Sequence, residues 1–221
     1  GSSDYAAQNF GMDRLPDHDL RYDMAEEYAE IATQLWSSWE PGAIVADRTS
    51  GVLIDHTKVH TIDYKGKYYR ARGPLNSGPC PQGRPVIAQA GGSAKGKRLA
   101  AKYADTVVAH VKGAARMKEY REDIRRQMVA FGRDPDSCKV LFLISPIIAE
   151  TMEKAQAMAD QREPDAHANI DKRLARLGWV TNIDFSTFDL DQPVGELSTN
   201  GHQQSLGEFL RKAGKNTLRD A

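Results

Sequence analysis

The most regular apolar pattern of the chain lies between residues 85 and 110. Residues 85–89 form a short run with the β-branched content of a buried strand, and residues 106–109 form a second one. Between them, residues 95–103 place Leu99, Ala100 and Tyr103 on one face of a helix. Residues 139–144 predict a third strand. A strand, a helix and a second strand in this order form a βαβ unit, so the fold class is predicted to be α/β with parallel strands.

Helical periodicity continues on both sides of this region. It predicts helices over residues 21–39, 114–131, 152–162, 165–177 and 204–212. The first of these presents a stripe for burial that consists of Met24, Tyr28, Ile31, Leu35, Trp36 and Trp39. Residues 59–63 and 68–71 alternate around Lys65-Gly66-Lys67, which predicts a β-hairpin, whereas residues 43–57 have the composition of an irregular loop. Three parallel strands do not close a barrel or cover their own edges, so the pattern is typical of the middle of a larger fold.

The turn between the first two parallel strands is rich in glycine and holds one hydroxyl, that of Ser93. The first N–H groups of the following helix lack partners, and the helix dipole makes that end positive. A phosphate fits there, with the Ser93 hydroxyl and the amides around residues 91–94 as donors. The alternative is a tight turn in which Gly91 and Gly92 supply positive φ angles and Ser93 caps the helix.

Composition narrows the choice of partners. Lys and Arg together number 30, as do Asp and Glu, so no basic field favours nucleic acid or a membrane surface. The cysteines, Cys80 and Cys138, lie far apart and match no metal spacing, which indicates a reduced, cytoplasmic protein. No apolar run approaches the ~20 residues of a membrane span, and no signal peptide is recognised.

Catalytic motifs give little direct information about chemistry. The sequence contains no G-x-S-x-G elbow, P-loop, H-E-x-x-H or C-x-x-C pattern, and the six histidines are not clustered as metal ligands. His110 follows a predicted parallel strand, where α/β proteins present ligand groups, although a satisfied, partly buried structural histidine is the commoner explanation. Glu26 and Glu27 are interpreted as part of a solvated helix face, and Tyr22 lies in the first turn of the same helix, away from its apolar stripe.

Several motifs, taken in their order along the chain, resemble one family. The motifs are Ala6-Ala7-Gln8-Asn9-Phe10-Gly11, Asp17-His18-Asp19 with Arg21-Tyr22, Leu35-Trp36-Ser37-Ser38-Trp39, Arg72-Gly73-Pro74-Leu75-Asn76, Pro81-Gln82-Gly83, and Gln89-Ala90-Gly91 with Ser93 and Gly96. With them the chain is similar to the nitrilotriacetate and dibenzothiophene-sulfone monooxygenase group of the bacterial-luciferase-like flavin enzymes, and the likeness extends over most of its length.

The resemblance implies a flavin-dependent monooxygenase that uses reduced FMN, supplied by a separate flavin reductase, and O₂ to oxygenate a small organic substrate. It places the FMN phosphate at Gly91, Gly92 and Ser93, flanked by Gln89 and Ala90. It also implies that Tyr22 reaches the same phosphate or the ribityl chain. No catalytic residue is assigned.

The resemblance also implies part of a (β/α)8 TIM barrel of luciferase-like type. Residues 1–221 are then a single partial-barrel domain, with an insertion that contains a β-hairpin over residues 40–84 and a helical insertion over residues 150–221. Pro85, Thr106 and Lys139 open barrel strands five, six and seven, while the first four strands and the eighth have no counterpart, so we expect a fragment of such a barrel.

The sequence leaves three hypotheses about function open. One is a fragment of an FMN-dependent monooxygenase. The second is a non-catalytic FMN- or phosphate-binding remnant or an oligomerisation module, and the third is a sugar-phosphate barrel enzyme that shares only the loop. Open sheet edges favour self-association, so a homo-oligomer is expected.

Overall fold

The computed structural model describes residues 3–167, 169–214 and 216–219, with the side chains of 162–167 excepted. The chain divides into two compact units. The described residues of Gly1–His18, Gly91–Ser93 and Leu143–Ala221 form the helical unit, and Asp19–Ala90 with Ala94–Phe142 form the sheet unit. The helices are α1 (Asp4–Gln8), α2 (His18–Trp36), α3 (Ala94–Tyr103), α4 (Ala114–Ala130), α5 (Met152–His167), α6 (Ile170–Thr181) and α7 (Gln203–Ala213). The strands are β1 (Ile44–Asp47), β2 (Val52–Ile54), β3 (Tyr64–Lys65), β4 (Arg70–Ala71), β5 (Ala88–Ala90), β6 (Thr106–Ala109) and β7 (Lys139–Phe142).

The sheet unit contains a parallel sheet in the order β5-β6-β7 within the described residues. Gln89 is in register with Val107, which is in register with Val140. Helix α3 connects β5 to β6, and α4 connects β6 to β7. The predicted α/β class with parallel strands is therefore confirmed.

The main apolar core lies where β6 and its neighbours pack against α3 and α4. Val107 and Met128 have no exposed surface, and Ile124 is 1% exposed. The apolar face of α4, which includes Tyr120, Ile124 and Met128, is thus part of this core. Small residues of α3, Ala100 and Ala101, are fully buried in the same cluster, because alanine lets a helix approach a sheet closely.

Asp105 connects the beginnings of all three parallel strands. Its carboxylate forms two hydrogen bonds with the Arg84 guanidinium, at 2.6 and 2.7 Å, and also accepts the Ile87 N–H at 2.8 Å. Its own N–H donates to the Ile87 carbonyl, and its carbonyl accepts the Lys139 N–H. The Arg84 guanidinium lowers the pKa of Asp105 below its ordinary value.

The first parallel strand is shorter and later than its apolar run predicts. β5 begins at Ala88, and Val86 is 67% exposed. Pro85 has no N–H to donate to a ladder, and the Ile87 N–H is directed to the Asp105 carboxylate. The strand therefore begins only after these two positions.

Residues 43–57 are not an irregular loop. They form the antiparallel pair β1–β2, in which Ile44 pairs with Ile54 across a bulge. The sequence pattern gave no strand signal here, because all three residues of β2 are exposed and buried positions therefore do not alternate with exposed ones. The second hairpin, β3–β4, turns close to the predicted Lys65-Gly66-Lys67, and β4 lies within the predicted residues 68–71. Its first strand is Tyr64–Lys65 and not residues 59–63, so that part of the prediction is wrong.

Glu27 of α2 closes the β3–β4 turn. Its carboxylate accepts the backbone N–H groups of Lys67, Tyr68 and Tyr69 at 2.7–3.1 Å. A Cβ at Gly66 would lie 1.8 Å from Glu27 Oε1, so the turn needs glycine for this close approach.

The acidic face of α2 also contacts α3, since Glu26 accepts from Lys102 at 2.7 Å and Asp23 pairs with Lys95. The interpretation of Glu26 and Glu27 as a solvated face is wrong, because basic and backbone donors cover both. One residue of the predicted apolar stripe of α2, Tyr28, is instead 64% exposed.

The helical unit is organised around α6 and α7. Phe185 is buried between Phe188 and Phe209, with ring centroids 5.4 and 5.8 Å away. The C-terminal residue of α6, Thr181, is fully buried, as is Ala213 at the end of α7. Within the described ranges, no helix is both long and apolar enough to cross a membrane.

We predict that Glu27→Ala lowers the free energy of unfolding by about 1–3 kcal/mol, because three N–H groups, two of them partly buried, lose their acceptor. Urea denaturation monitored by circular dichroism measures this difference. The matched control is Glu119→Ala, on an exposed position of α4, which should stay within about 0.5 kcal/mol of the wild type. Equal stability of the two variants would contradict the role of Glu27.

The lowered pKa of Asp105 predicts a pH dependence. A depressed carboxyl pKa stabilises the fold above the ordinary value of 3.8, and this contribution is lost as the pH falls through the lower folded pKa. Asp105→Asn should therefore cost about 1–3 kcal/mol at pH 7, and the difference from the wild type should shrink below about pH 4. The exposed Asp13→Asn is the control; a difference that persists unchanged at acid pH would rule out this charge effect.

Candidate functional site

The glycine-rich turn occupies the position that the sequence predicts for a phosphate. β5 ends at Ala90 and α3 begins at Ala94, so Gly91, Gly92 and Ser93 form the whole connection. Ser93 is half-buried and directly precedes the helix. This connection follows the carboxyl end of a parallel strand, where such sheets usually place their ligands. We call these three residues the phosphate loop, after the ligand that the sequence predicts there.

Gly92 is needed for close packing and not for a left-handed conformation. Its φ lies outside the positive range, which contradicts the alternative in which it supplies a positive φ. A Cβ at this position would lie 2.1 Å from Oε1 and 2.5 Å from Cδ of Gln204. Both the phosphate loop and Gln204 belong to the helical unit.

The segment that leads into α7 is fixed by hydrogen bonds. The Asn200 side chain donates to the carbonyls of Leu15 and Pro16 at 2.9 and 3.1 Å. The Thr199 hydroxyl donates to the Thr181 carbonyl, and the His202 N–H donates to the Val180 carbonyl at 2.9 Å. The imidazole of His202 then accepts the Ser205 N–H at 3.1 Å and caps the helix. Gln204 thus lies in the first turn of α7, which these hydrogen bonds hold in place.

The other predicted site residues lie in the sheet unit. Gln89 is half-buried in β5, and Ala90 ends that strand. Tyr22 lies in α2, half-buried, and is close enough to Tyr120 to contribute to its pKa. Burial chiefly raises the pKa of Tyr120 to about 12, so that hydroxyl stays protonated in the working range. The role of Tyr22 toward a phosphate stays a prediction.

The other candidate reactive side chains are those of His110 and the two cysteines. His110 follows β6 and is exposed, so it is not the partly buried histidine that the alternative required. Burial raises the pKa of the Cys138 thiol, which disfavours the reactive thiolate. Cys80 is half-buried, and its carbonyl accepts the Gly83 N–H at 2.8 Å.

Two motifs of the family resemblance meet in the sheet unit. The Ser38 hydroxyl accepts the Leu75 N–H at 3.0 Å, and the Trp39 indole donates to the Leu75 carbonyl at 2.8 Å. These contacts connect the end of α2 with residues 72–76. The motifs therefore belong to one packed arrangement, although neither contains a reactive group.

A cavity of about 870 Å³ lies in the helical unit. Aromatic residues, among them Tyr5 and Trp179, line it together with Asp171 and Asp184. Its lining includes none of the six residues that the sequence predicts as cofactor ligands.

Comparison with known proteins decides the family. The sequence profile of the family described as luciferase-like monooxygenase matches residues 1–203. The chain belongs to this luciferase-like monooxygenase family. The likeness that the sequence motifs indicated is therefore confirmed.

Several relatives of this luciferase-like chain are monooxygenases by name. It is 35% identical to the dibenzothiophene-sulfone monooxygenase of Rhodococcus erythropolis, over 97% of this chain and 51% of that protein. It is 37% identical to nitrilotriacetate monooxygenase component A of Aminobacter aminovorans, over 86% of this chain and 42% of that protein. The chain thus spans about half the length of these curated relatives.

Solved structures agree with the sheet and helices described above. The structure of riboflavin lyase with modified FMN and the substrate riboflavin matches with a TM-score of 0.81 and 32% identity, over 97% of this chain and 46% of that one. The parallel β5-β6-β7 sheet with its helices is accordingly part of a luciferase-like (β/α)8 barrel, as predicted. That neighbour contains a modified FMN by its own description.

Sequence reasoning missed Gln204. Its position at the start of α7 was predicted, since residues 198–201 precede a helical pattern. Its approach to Gly92 is a tertiary contact between distant parts of the chain, and no spacing rule marks it. The one sign of this contact in the sequence is Gly92 itself. A glycine that is needed for close packing looks the same in sequence as a glycine that is needed for a positive φ angle.

The contact at Gly92 yields a prediction. Because the obstructing atoms are the end of a flexible side chain, Gly92→Ala should displace the Gln204 carboxamide and lower the free energy of unfolding by about 1 kcal/mol. Gly195→Ala is the matched control, since nothing lies within 4 Å of its added Cβ. Thermal or urea unfolding compares the two variants, and equal stabilities would contradict close packing at Gly92.

Proposed function

We propose that this chain carries the flavin-phosphate site of a monooxygenase that uses reduced FMN and O₂ on a small organic substrate. One observation carries the proposal. In a chain of the luciferase-like monooxygenase family, β5 is joined to α3 by a glycine-rich loop that ends in a hydroxyl residue.

The donor set fits a phosphate. The first N–H groups of a ten-residue helix have no partners within that helix, and the Ser93 hydroxyl precedes them. The first turn of α3 has no acidic residue and contains Lys95 and Lys97. Both ammonium groups form ion pairs, with Asp23 and Asp123 respectively, so the loop amides and the hydroxyl would supply the direct contacts.

The other predicted residues receive supporting roles in this proposal. Gln89 and Ala90 would flank the flavin as the strand leads into the loop. Tyr22 would add a second hydroxyl to the phosphate or the ribityl chain. The catalytic residues are unassigned, because among the described residues no acid, base or nucleophile has been identified beside these positions.

The division of labour follows from the cofactor. Reduced FMN, when bound, supplies the electrons that activate O₂ for transfer to the substrate. This chain would bind the phosphate and orient the cofactor. A separate flavin reductase would supply the reduced FMN, a suggestion supported by the relative whose name is component A. We further propose a cytoplasmic homo-oligomer, since open parallel strands favour self-association.

The first test is the affinity for FMN, measured by quenching of flavin fluorescence. Ser93→Ala should weaken FMN binding by about threefold to tenfold, because one hydrogen bond to the phosphate is lost. Riboflavin, which has no phosphate, should bind both proteins alike. Ser77→Ala, at an exposed position, is the control and should leave both affinities unchanged.

Other outcomes separate the alternatives. Equal loss of FMN and riboflavin affinity in Ser93→Ala would argue against a phosphate contact. FMN binding without reductase-dependent oxygen consumption would indicate a binding module and not a monooxygenase. Indifference to flavin together with binding of a phosphorylated sugar would favour a sugar-phosphate enzyme.

A further inference from the structure

We infer that Gln204 is a positioning residue for the phosphate loop, a role that rests on the proposed function. The Gln204 carboxamide occupies the space beside Gly92 that any other residue would fill with its Cβ, since the added atom would lie 2.1 Å from Oε1. The side chain of one helix is therefore fitted against the bare backbone of the loop.

The orientation of the carboxamide follows from its other neighbour. Nε2 of Gln204 donates to Oε1 of Glu208, one turn further along α7, at 3.4 Å. An ionised carboxylate only accepts hydrogen bonds, so the amino group of the carboxamide faces Glu208. The carbonyl oxygen is then the carboxamide atom nearest to the position of a Cβ at Gly92.

The helix that carries Gln204 is itself held firmly. Leu206 is 3% exposed and Ala213 is fully buried. Asn200, Thr199 and the His202 N–H fix the preceding segment. A side chain on such a base can hold a loop in place, whereas a side chain on a free surface cannot.

The loop has a particular need for this support. Gly91–Ser93 have no regular secondary structure, and two of the three are glycines, which lose the most conformational entropy when a single conformation is fixed. By its contacts the loop belongs to the helical unit with α7. Gln204 therefore reduces the freedom of amides that must point together at a phosphate, which raises affinity through pre-organisation.

The test compares Gln204→Ala with Gln203→Ala, its exposed neighbour on the same helix. Gln204→Ala should weaken FMN binding by about threefold to tenfold and leave riboflavin binding unchanged. Gln203→Ala should bind both as the wild type does. Equal weakening of both flavins, or no change in FMN affinity, would overturn the role of Gln204.

A second measurement does not depend on flavin. In a double-mutant cycle, Gly92→Ala should lower the melting temperature of the wild type and should cost less in the Gln204→Ala background, because the obstructing carboxamide is gone. Additive effects would overturn the contact. Circular dichroism verifies that each variant is folded.

The two proposals fail in different ways. A folded wild type that binds FMN no better than riboflavin overturns the phosphate loop and the role of Gln204 with it. A wild type that prefers FMN, with a Gln204→Ala variant that prefers it equally, overturns the role of Gln204 alone.

Discussion

The sheet unit depends on the charge-assisted hydrogen bonds of Asp105. One residue uses its carboxylate, its N–H and its carbonyl to connect the beginnings of β5, β6 and β7. Arg84 neutralises the carboxylate, and Arg133 donates to the carbonyls of Ala101 and Ala104 where α3 ends. Because the register of the three strands is set at this end, Ala90, the last residue of β5, has a defined position in the sheet.

Two kinds of contact restrict the conformation of the phosphate loop. The chain connects it to β5 and α3, which supply a strand end and a helix N-terminus. The helical unit supplies Gln204, which restricts the loop backbone through close packing at Gly92. Local sequence thus specifies the loop and its hydroxyl, and close packing by a residue distant in sequence limits the freedom of the loop.

The sequence predicted the elements whose signals are local and strong. The helices at residues 94–103 and 114–130 and the strand at 106–109 follow from apolar periodicity, because they contribute the core around Met128. β1 and β2 were missed because their side chains are exposed and give no alternation. Glu27 and Gln204 were missed for a different reason: a charged or amide side chain looks the same in sequence whether it faces water or a distant backbone. At the site, the loop and its hydroxyl were predictable, and the fit of Gly92 was not.

The closure of the β3–β4 turn by Glu27 makes the hairpin dependent on another part of the chain. The turn takes its acceptor from a helix that precedes it by about 40 residues. With only two residues in each strand, the hairpin completes its hydrogen bonds by docking on α2 and is not an independently stable unit.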